Sequence, residues 1–216
     1  MCEKKEKIIL LGAGQHARVV LYNMEEQGRY EAVGIIDENV KKIGTKFEGI
    51  NIVGTDRDSE RIKEKYKTNK FFVGFGDPII RQKVFKQYIS KGWQAVNIIH
   101  TNAVVAKNAQ IGSGVLIECG CLITPNPIIG DNVVINTGSQ VNHDNIIGND
   151  VYIASGVVLS GGVTIGQNTL IDDGVIVAMG QKIGKNCIIG AGSVVTKEIP
   201  DNVVAYGNPC RIIRER

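Results

Sequence analysis

The segment IGDNVVINTGSQVNHDNIIGNDVYI, residues 129–153, decides the fold of the chain. Ile129, Ile135, Val141, Ile147 and Ile153 recur every six residues. The same phase runs unbroken from Ile99 to Val195, giving seventeen stations that are all Ile, Val or Leu. A period of six excludes an amphipathic helix, because six residues advance an α-helix by about 600° and scatter the stations around its axis. Plain strand alternation fails as well, since the second residue past a station is mostly polar or small, as at Lys107, Asp131, Thr137, Asn149 and Gln167. The fourth residue past a station is usually small or β-branched (Ala103, Val115, Cys121, Val133, Ser193), and the third is Gly, Asn or Asp (Asn108, Gly114, Asn132, Asp144, Gly162) until Glu198. Those three types accept a left-handed backbone most cheaply. A short strand with two inward side chains, turning every six residues in constant phase, winds into a parallel coil. Three sides close a triangular prism of eighteen residues per coil, a hexapeptide-repeat β-helix between five and six coils long. It should stand roughly 25 Å tall at about 4.8 Å per strand layer.

This run resembles the left-handed β-helix of the hexapeptide acyltransferases, and the left hand comes from that resemblance, because parallel crossovers are otherwise almost always right-handed. Upstream of it, residues 7–98 read as an alternating α/β unit. Strands are expected at residues 7–11, 32–36, 70–76 and 94–98, with a short edge strand at 50–53. Helices are expected up to about Gln27, over 57–68, and from Pro78 to about Lys91. That order predicts a small parallel sheet with helices on its faces, which binds ligands where strand ends meet glycine turns.

Gly12-x-Gly14-x-x-Ala17, between a strand and a helix, fits the dinucleotide fingerprint, and Asp37 sits where a ribose-binding acid belongs. A nicotinamide-dependent oxidoreductase is therefore one reading. A unit of about ninety residues is roughly half a dinucleotide fold, however, and suits a mononucleotide or a nucleotide-linked sugar better. The glycines also have a purely structural reading, as a tight turn.

Composition narrows the classes. At 216 residues, with 43% hydrophobic and 22% charged residues, the chain has the make-up of a soluble globular protein of two modest domains. The net charge of +3 comes without spaced aromatics beside Lys4, Lys5, Lys7, Arg211, Arg214 and Arg216, which argues against nucleic-acid binding. No signal peptide and no membrane span are expected. Five cysteines form no framework spacing, so a reduced, cytoplasmic protein is expected. Cys121 and Cys187 fall on inward stations, and the coil phase points Cys119 and Cys121 to opposite sides of the wall, against a metal pair.

His143, at the second position past station Val141, faces outward. It is either a surface histidine or a reactive one. One coil further on lie Gly161 and Gly162, which clear the wall beside the imidazole. Pro127, Asn145 and Gln181, all in one column, break the small-residue rule and suggest that this side of the prism is modified.

With these residues in view, the whole chain resembles the bacterial sugar O- and N-acyltransferases of the sialic acid O-acetyltransferase (NeuD) type, which include acetyltransferases of nucleotide-linked amino sugars. The resemblance is carried by Leu11-Gly12-Ala13-Gly14-Gln15-His16-Ala17, Ile35-Ile36-Asp37, Asn142-His143-Asp144-Asn145, Leu159-Ser160-Gly161-Gly162-Val163 and Ala205-Tyr206-Gly207-Asn208-Pro209. It implies a Rossmann-like sugar-nucleotide-binding domain over residues 1–98 and a β-helix acetyltransferase domain with a C-terminal tail over 99–216. The implied reaction is transfer of acetyl from acetyl-CoA to the amino group of a nucleotide-activated amino sugar by direct attack. The alternative is O-acetylation of sialic acid or a related sugar hydroxyl. A homotrimer and a place in glycan assembly are implied too.

Residue by residue, the resemblance makes His143 the general base and Asp144 its partner. Asp144 also occupies a turn station where Asp, Asn or Gly is expected regardless of catalysis. Gly161 would donate its N–H to the thioester oxygen, and Asn136 would stand near the acceptor. Gly161, Gly162, Asp173, Gly190, Ala191, Lys197 and Arg211 would line the acetyl-CoA path. Gly12, Gly14, His16, Asp37, Glu38, Gly76, Asp77 and Arg81 would meet the nucleotide-linked sugar, although His16 equally fits as an ordinary residue at a helix start. His100 reads as structural. The chain departs from the family at Tyr152, where some relatives carry a second histidine, and at Asn142, where many carry an acid. A zinc hydratase on the same prism would need three histidine ligands, and the prism offers His143 and His100 only. A non-catalytic scaffold would leave His143 beside paired glycines without a reason.

Overall fold

The computed structural model describes residues 4–216. The chain divides into two compact units, one ending at Ile98 and the other starting at Ile99.

The first unit is built on strands β1 (Glu6–Leu11), β2 (Tyr30–Ile36), β3 (Lys46–Phe47), β4 (Ile50–Gly54), β5 (Lys70–Val73) and β6 (Gln94–Ala95). They form one sheet in the order β3-β4-β2-β1-β5-β6. Pairing is parallel except between β3 and β4. Ile8, Ile9 and Leu10 of β1 are fully buried, the continuous apolar run that a strand covered on both faces requires. Helices α1 (Gln15–Gln27), α2 (Ser59–Tyr66) and α3 (Pro78–Ser90) connect the strands. Gly28 ends α1 in the left-handed region at φ 72°.

Two expectations need adjusting here. The third long strand stops at Val73 instead of Gly76, and its last ladder bond runs from the Gly74 N–H to the Leu11 carbonyl at 2.7 Å. The edge gains β3, paired to β4 across a tight turn at Glu48 and Gly49, both at positive φ. Strand order reverses between β2 and β5, on either side of β1, so the crevice of this sheet opens beyond Leu11 and Val73.

The second unit is a left-handed parallel β-helix. Seventeen two-residue strands run from β7 (Ile98–Ile99) to β23 (Val194–Val195), one per hexad, stacked in three parallel sheets. The register between coils is eighteen residues: Gln140 pairs with Val158 and Val141 with Leu159. Inward stations such as Ile135, Val141, Ile153, Leu159 and Ile171 are fully buried in a single core. Each is worth about 1.5–3 kcal/mol of burial. A hairpin of β24 (Val203–Tyr206) and β25 (Arg211–Glu215) closes the C-terminal end, with β24 laid parallel on β22 (Ile188–Ile189).

The left-handed turn residues differ by edge. One edge carries glycine from Gly120 through Gly138, Gly156 and Gly174 to Gly192. The next carries Asn126 and Asp144 and then Gly162 and Gly180, and the third carries Gly114, Asn132, Asp150, Asn168 and Asn186. Asn102 and Asn108, expected to be left-handed, are not among the positive-φ residues.

Asn145 is not part of a modified outer face. Its side chain is fully buried in the prism, where Oδ1 accepts a 2.6 Å hydrogen bond from the Val163 N–H. Ser139 and Thr169 play the same inward part, accepting from the N–H groups of Val157 and Cys187. Polar residues at this hexad position, one on each side of the prism, satisfy backbone donors of the next coil.

Candidate active site

His143 and Asp144 follow the strand Gln140–Val141 and turn onto the edge where asparagine gives way to glycine. Asp144 is in the left-handed region at φ 60°, and this aims its carboxylate along the edge. His143 Nδ1 lies 2.8 Å from Asp144 Oδ2, with both side chains more than half exposed. An ionised carboxylate only accepts, so Nδ1 carries the proton and Nε2 is the basic nitrogen. The hydrogen bonds from His143 and then Asn126 hold the Asp144 carboxyl below the usual carboxylate range.

Gly161 lies directly under the ring. A Cβ there would fall 2.5 Å from His143 Cε1 and closer still to Nε2. The Gly162 N–H donates to the His143 carbonyl at 2.9 Å, pinning the two coils together at this point. Lys197 is exposed and shares the column of His143 and Gly161, two coils beyond Gly161. These four residues are brought together on one edge.

Asn136, Asp173, Gly190 and Ala191 are on another. Asn136 follows the strand Val134–Ile135, and its Nδ2 donates to the Tyr152 hydroxyl at 3.2 Å. Gly190 shares the column of Asn136, whereas Ala191 shares that of Asp173, whose Oδ1 accepts from the Ser155 N–H. At about 3.3 Å per residue a six-residue side is roughly 15–20 Å long, so the two sets do not meet within one prism. Arg211 stands apart on the closing hairpin, its Nη1 on the Cys210 carbonyl. Asn142 is turned back onto the wall, with Nδ2 on the Leu159 carbonyl at 2.8 Å. His100 is buried, accepting at Nδ1 from the Asn102 N–H. Beneath the Asn136 edge Glu118 is buried too, its Oε2 accepting from Thr137 Oγ1 at 2.7 Å. Burial pushes its carboxyl above the usual range.

In the α/β unit, Gly12 makes the turn at φ 98°, and a Cβ there would strike the Phe75 ring at 2.8 Å. Gly14 caps α1 and has open space where its side chain would be. His16 packs against Gly76, and burial, with help from Arg81, lowers its pKa to about 4, so it is neutral near pH 7. A cavity of about 520 Å³ opens beside this turn, lined by Leu11, Ile36, Glu38, Phe75 and Tyr88 among others.

Three of the nucleotide-site candidates are engaged in holding the unit together. Asp37 is buried and accepts from the Ala13 N–H at 2.9 Å, from Asn39 N–H and from Lys42 Nζ. Burial raises its carboxyl, but these donors more than offset that and hold it below the usual range. Asp77 caps α3 by accepting from the N–H groups of Ile79 and Ile80. Arg81 is buried, with Nη1 on the Val73 carbonyl and its guanidinium against the Phe72 ring. Glu38 is exposed and accepts from the Asp56 N–H.

The family models follow this division. Residues 7–88 match the PglD N-terminal domain, and residues 126–161 and 162–197 match the bacterial transferase hexapeptide repeats. The GDP-perosamine N-acetyltransferase of Caulobacter crescentus superposes over 97% of both chains, with a TM-score of 0.90 and 32% identity. The chain belongs to the hexapeptide-repeat nucleotide-sugar acetyltransferases. That structure is a histidine-to-alanine variant in complex with CoA and GDP-perosamine. The acetyltransferase domain of PglB from Neisseria gonorrhoeae FA1090, in complex with acetyl coenzyme A, superposes at a TM-score of 0.87 with 26% identity over 97% of this chain and all of that one. A GDP-perosamine N-acetyltransferase from Escherichia coli O157:H7 is 32% identical over 114 residues, and the match spans about half the length of each chain.

Two features of this family member escaped the hexad reading. The Asn136–Tyr152 contact is sixteen residues apart and off the coil repeat, so no column reveals it. Asn126, tied to Asp144, is found by stepping back eighteen residues from the acid. No helix among the described residues is long and apolar enough to cross a membrane.

Proposed function

We propose that the chain transfers the acetyl group of acetyl-CoA to the amino group of a nucleotide-activated amino sugar, with His143 as general base. The observation that carries this reading is the His143–Asp144 pair, with Nδ1 on the carboxylate and Nε2 open above a glycine. The GDP-perosamine complexes of the relatives favour an amine over a sugar hydroxyl as acceptor. Acetyl-CoA supplies the acetyl group as a thioester.

His143 Nε2 takes the proton of the acceptor amine as the nitrogen attacks the thioester carbonyl carbon. The new C–N bond forms while the carbonyl electrons move to oxygen, where the Gly161 N–H donates. Collapse breaks the C–S bond, and Nε2 returns its proton to the departing CoA thiolate. Asp144 stabilises the imidazolium between these steps. No acetyl-enzyme forms, and both substrates are bound together.

The donor path needs two edges, since Gly161, Gly162 and Lys197 lie on one and Asp173, Gly190 and Ala191 on another. Neighbouring prisms of a homotrimer would bring one edge of each chain against the other edge of the next. Val104, Leu122 and Ile176, exposed on the sheet between those edges, supply apolar surface for that contact. The first unit would hold the nucleotide, with Gly12, Gly14 and His16 at the phosphates or sugar, Gly76 beside them, and Glu38 facing the base in the cavity.

The test is a transfer assay with acetyl-CoA and UDP-, dTDP-, GDP- and CMP-linked amino sugars, with free sialic acid as a further acceptor. CoA thiol release and a hydroxylamine-stable acetylated product are expected with one nucleotide class. A hydroxylamine-labile ester as the sole product would establish oxygen as the acceptor, and absence of turnover with every acceptor would refute the reading.

A further inference from the structure

Asp144 is the end of a chain of amide side chains that climbs the prism one coil at a time. Asn108 Nδ2 donates to Asn126 Oδ1 at 2.6 Å, and Asn108 Oδ1 accepts from the Asn126 backbone N–H at 3.2 Å. This two-point clamp fixes the Asn126 amide. Asn126 Nδ2 then donates to Asp144 Oδ1 at 3.2 Å. The other carboxylate oxygen, Oδ2, faces His143 Nδ1 at 2.8 Å.

A similar ladder runs along a different edge, from Asn168 to Asn186 to Asn202, each Nδ2 donating to the next Oδ1. That ladder continues until the chain leaves the coil. The one at His143 stops at Asp144, because the next position, Gly162, has no side chain. The terminal rung therefore has an oxygen with no amide to bind, and the imidazole of the preceding residue takes the place of the missing rung.

We infer that Asn126, clamped by Asn108, is a positioning residue that fixes the plane of the Asp144 carboxylate and thereby selects Nε2 as the basic nitrogen of His143. An aspartate with a side chain more than half exposed is free to rotate in water, and either oxygen or neither then faces the ring. Free imidazole side chains prefer the proton on Nε2, which would put the basic lone pair on Nδ1, against the carboxylate and away from Gly161. The bond from Asn126 holds one oxygen, so the other stays on Nδ1–H. Asp144 faces the ring from its own edge and Gly161 from the next coil. This inference rests on His143 acting as general base.

The experiment uses the full chain labelled with ¹⁵N-histidine, which gives three assignable imidazoles. Asn126→Gly suits the left-handed φ of 66° and removes the amide, both the donor to Asp144 and the acceptor for Asn108. Asn126→Asp keeps the shape and adds a second negative charge beside Asp144. Tautomers are read from the long-range ¹⁵N–¹H pattern, alongside pH–rate profiles and thermal midpoints. Wild type should show the Nδ1–H form at His143, and Asn126→Gly should move it toward Nε2–H. The same variant should lose about tenfold in kcat with KM values unchanged, the scale of one hydrogen bond. In Asn126→Asp the acidic limb of the kcat profile should move to higher pH, because the added charge favours the imidazolium. Wild-type tautomer and kcat in Asn126→Gly, with a change in thermal midpoint alone, would overturn the inference. If His143→Ala kept full activity, the general-base reading would fail, while the tautomer shift in Asn126→Gly would still report the ladder.

Discussion

Replacing Gly161 with alanine tests the placement of the base, provided that the variant is compared in two backgrounds. Gly161 does not have a positive φ, so alanine introduces no backbone strain. The three atoms nearest the new Cβ all belong to the His143 ring, with Cε1 at 2.5 Å and Nε2 closer. Ordinary contact begins near 3.4 Å, so the imidazole must move by about 1 Å, and a displacement of that size at a reacting atom costs on the order of 10² in rate. This corresponds to about 2.7 kcal/mol of transition-state stabilisation. The exposed ring can swing outward, so the thermal midpoint should change little. Initial rates of CoA release should therefore show kcat reduced about a hundredfold. The decisive arm is the double variant. In a His143→Ala background the obstacle is gone, and Gly161→Ala should cost nothing further. An equal loss in both backgrounds would mean that Gly161 acts on acetyl-CoA or the oxyanion directly, and that the steric argument is wrong.

His143→Ala alone should lower kcat by about 10²–10⁴ with KM values little changed, and wild-type initial-rate patterns should intersect; parallel lines or an isolable acetylated protein would indicate a different nucleophile. Asp37→Ala should destabilise the α/β unit by about 1–3 kcal/mol in urea unfolding, because the Ala13 N–H and the Lys42 ammonium lose their acceptor, and wild-type stability would contradict the hydrogen bonding described. Glu118 supplies a pH test. Its folded carboxyl titrates above the unfolded one, so the stability associated with it is complete below the ordinary glutamate range and is lost as pH rises through the raised value. Glu118→Gln keeps an acceptor for Thr137 and should flatten the thermal midpoint across that window; an unchanged slope would place the pH dependence elsewhere.

The β-helix was legible because every contact that defines it is a fixed offset in the sequence. Stepping six residues finds the inward stations, and stepping eighteen finds that Gly161 neighbours His143. The α/β unit was legible in order but less so in its site, and Asp37 shows why. Its place after a strand suits a ribose-binding acid, yet its oxygens hold Ala13, Asn39 and Lys42. Lys42 ends a single 3₁₀ turn, Val40–Lys42, whose place no periodicity encodes. Arg81 was equally open to either reading, since a cation near a strand end looks the same in sequence whether it faces a ligand or donates to Val73 beneath it. Asn145 misled for a related reason: an odd residue in a column marks a different local duty, here an acceptor for Val163, and carries no information about the opposite side of the wall.

A coil of eighteen residues in three equal sides also makes residue number a spatial coordinate, and this limits how such a chain can change length. Removing six residues between Asp144 and Ser160 would keep every apolar station in phase and leave a well-packed prism. It would also rotate everything downstream by one edge, carrying Gly161 and Lys197 around the corner from His143. Adding or removing eighteen elsewhere in the prism, outside the coil from His143 to Gly161, would preserve every edge and change only the height. Length variation in the prism therefore comes in two kinds, both foldable, and only whole coils placed outside that stretch keep Gly161 under His143.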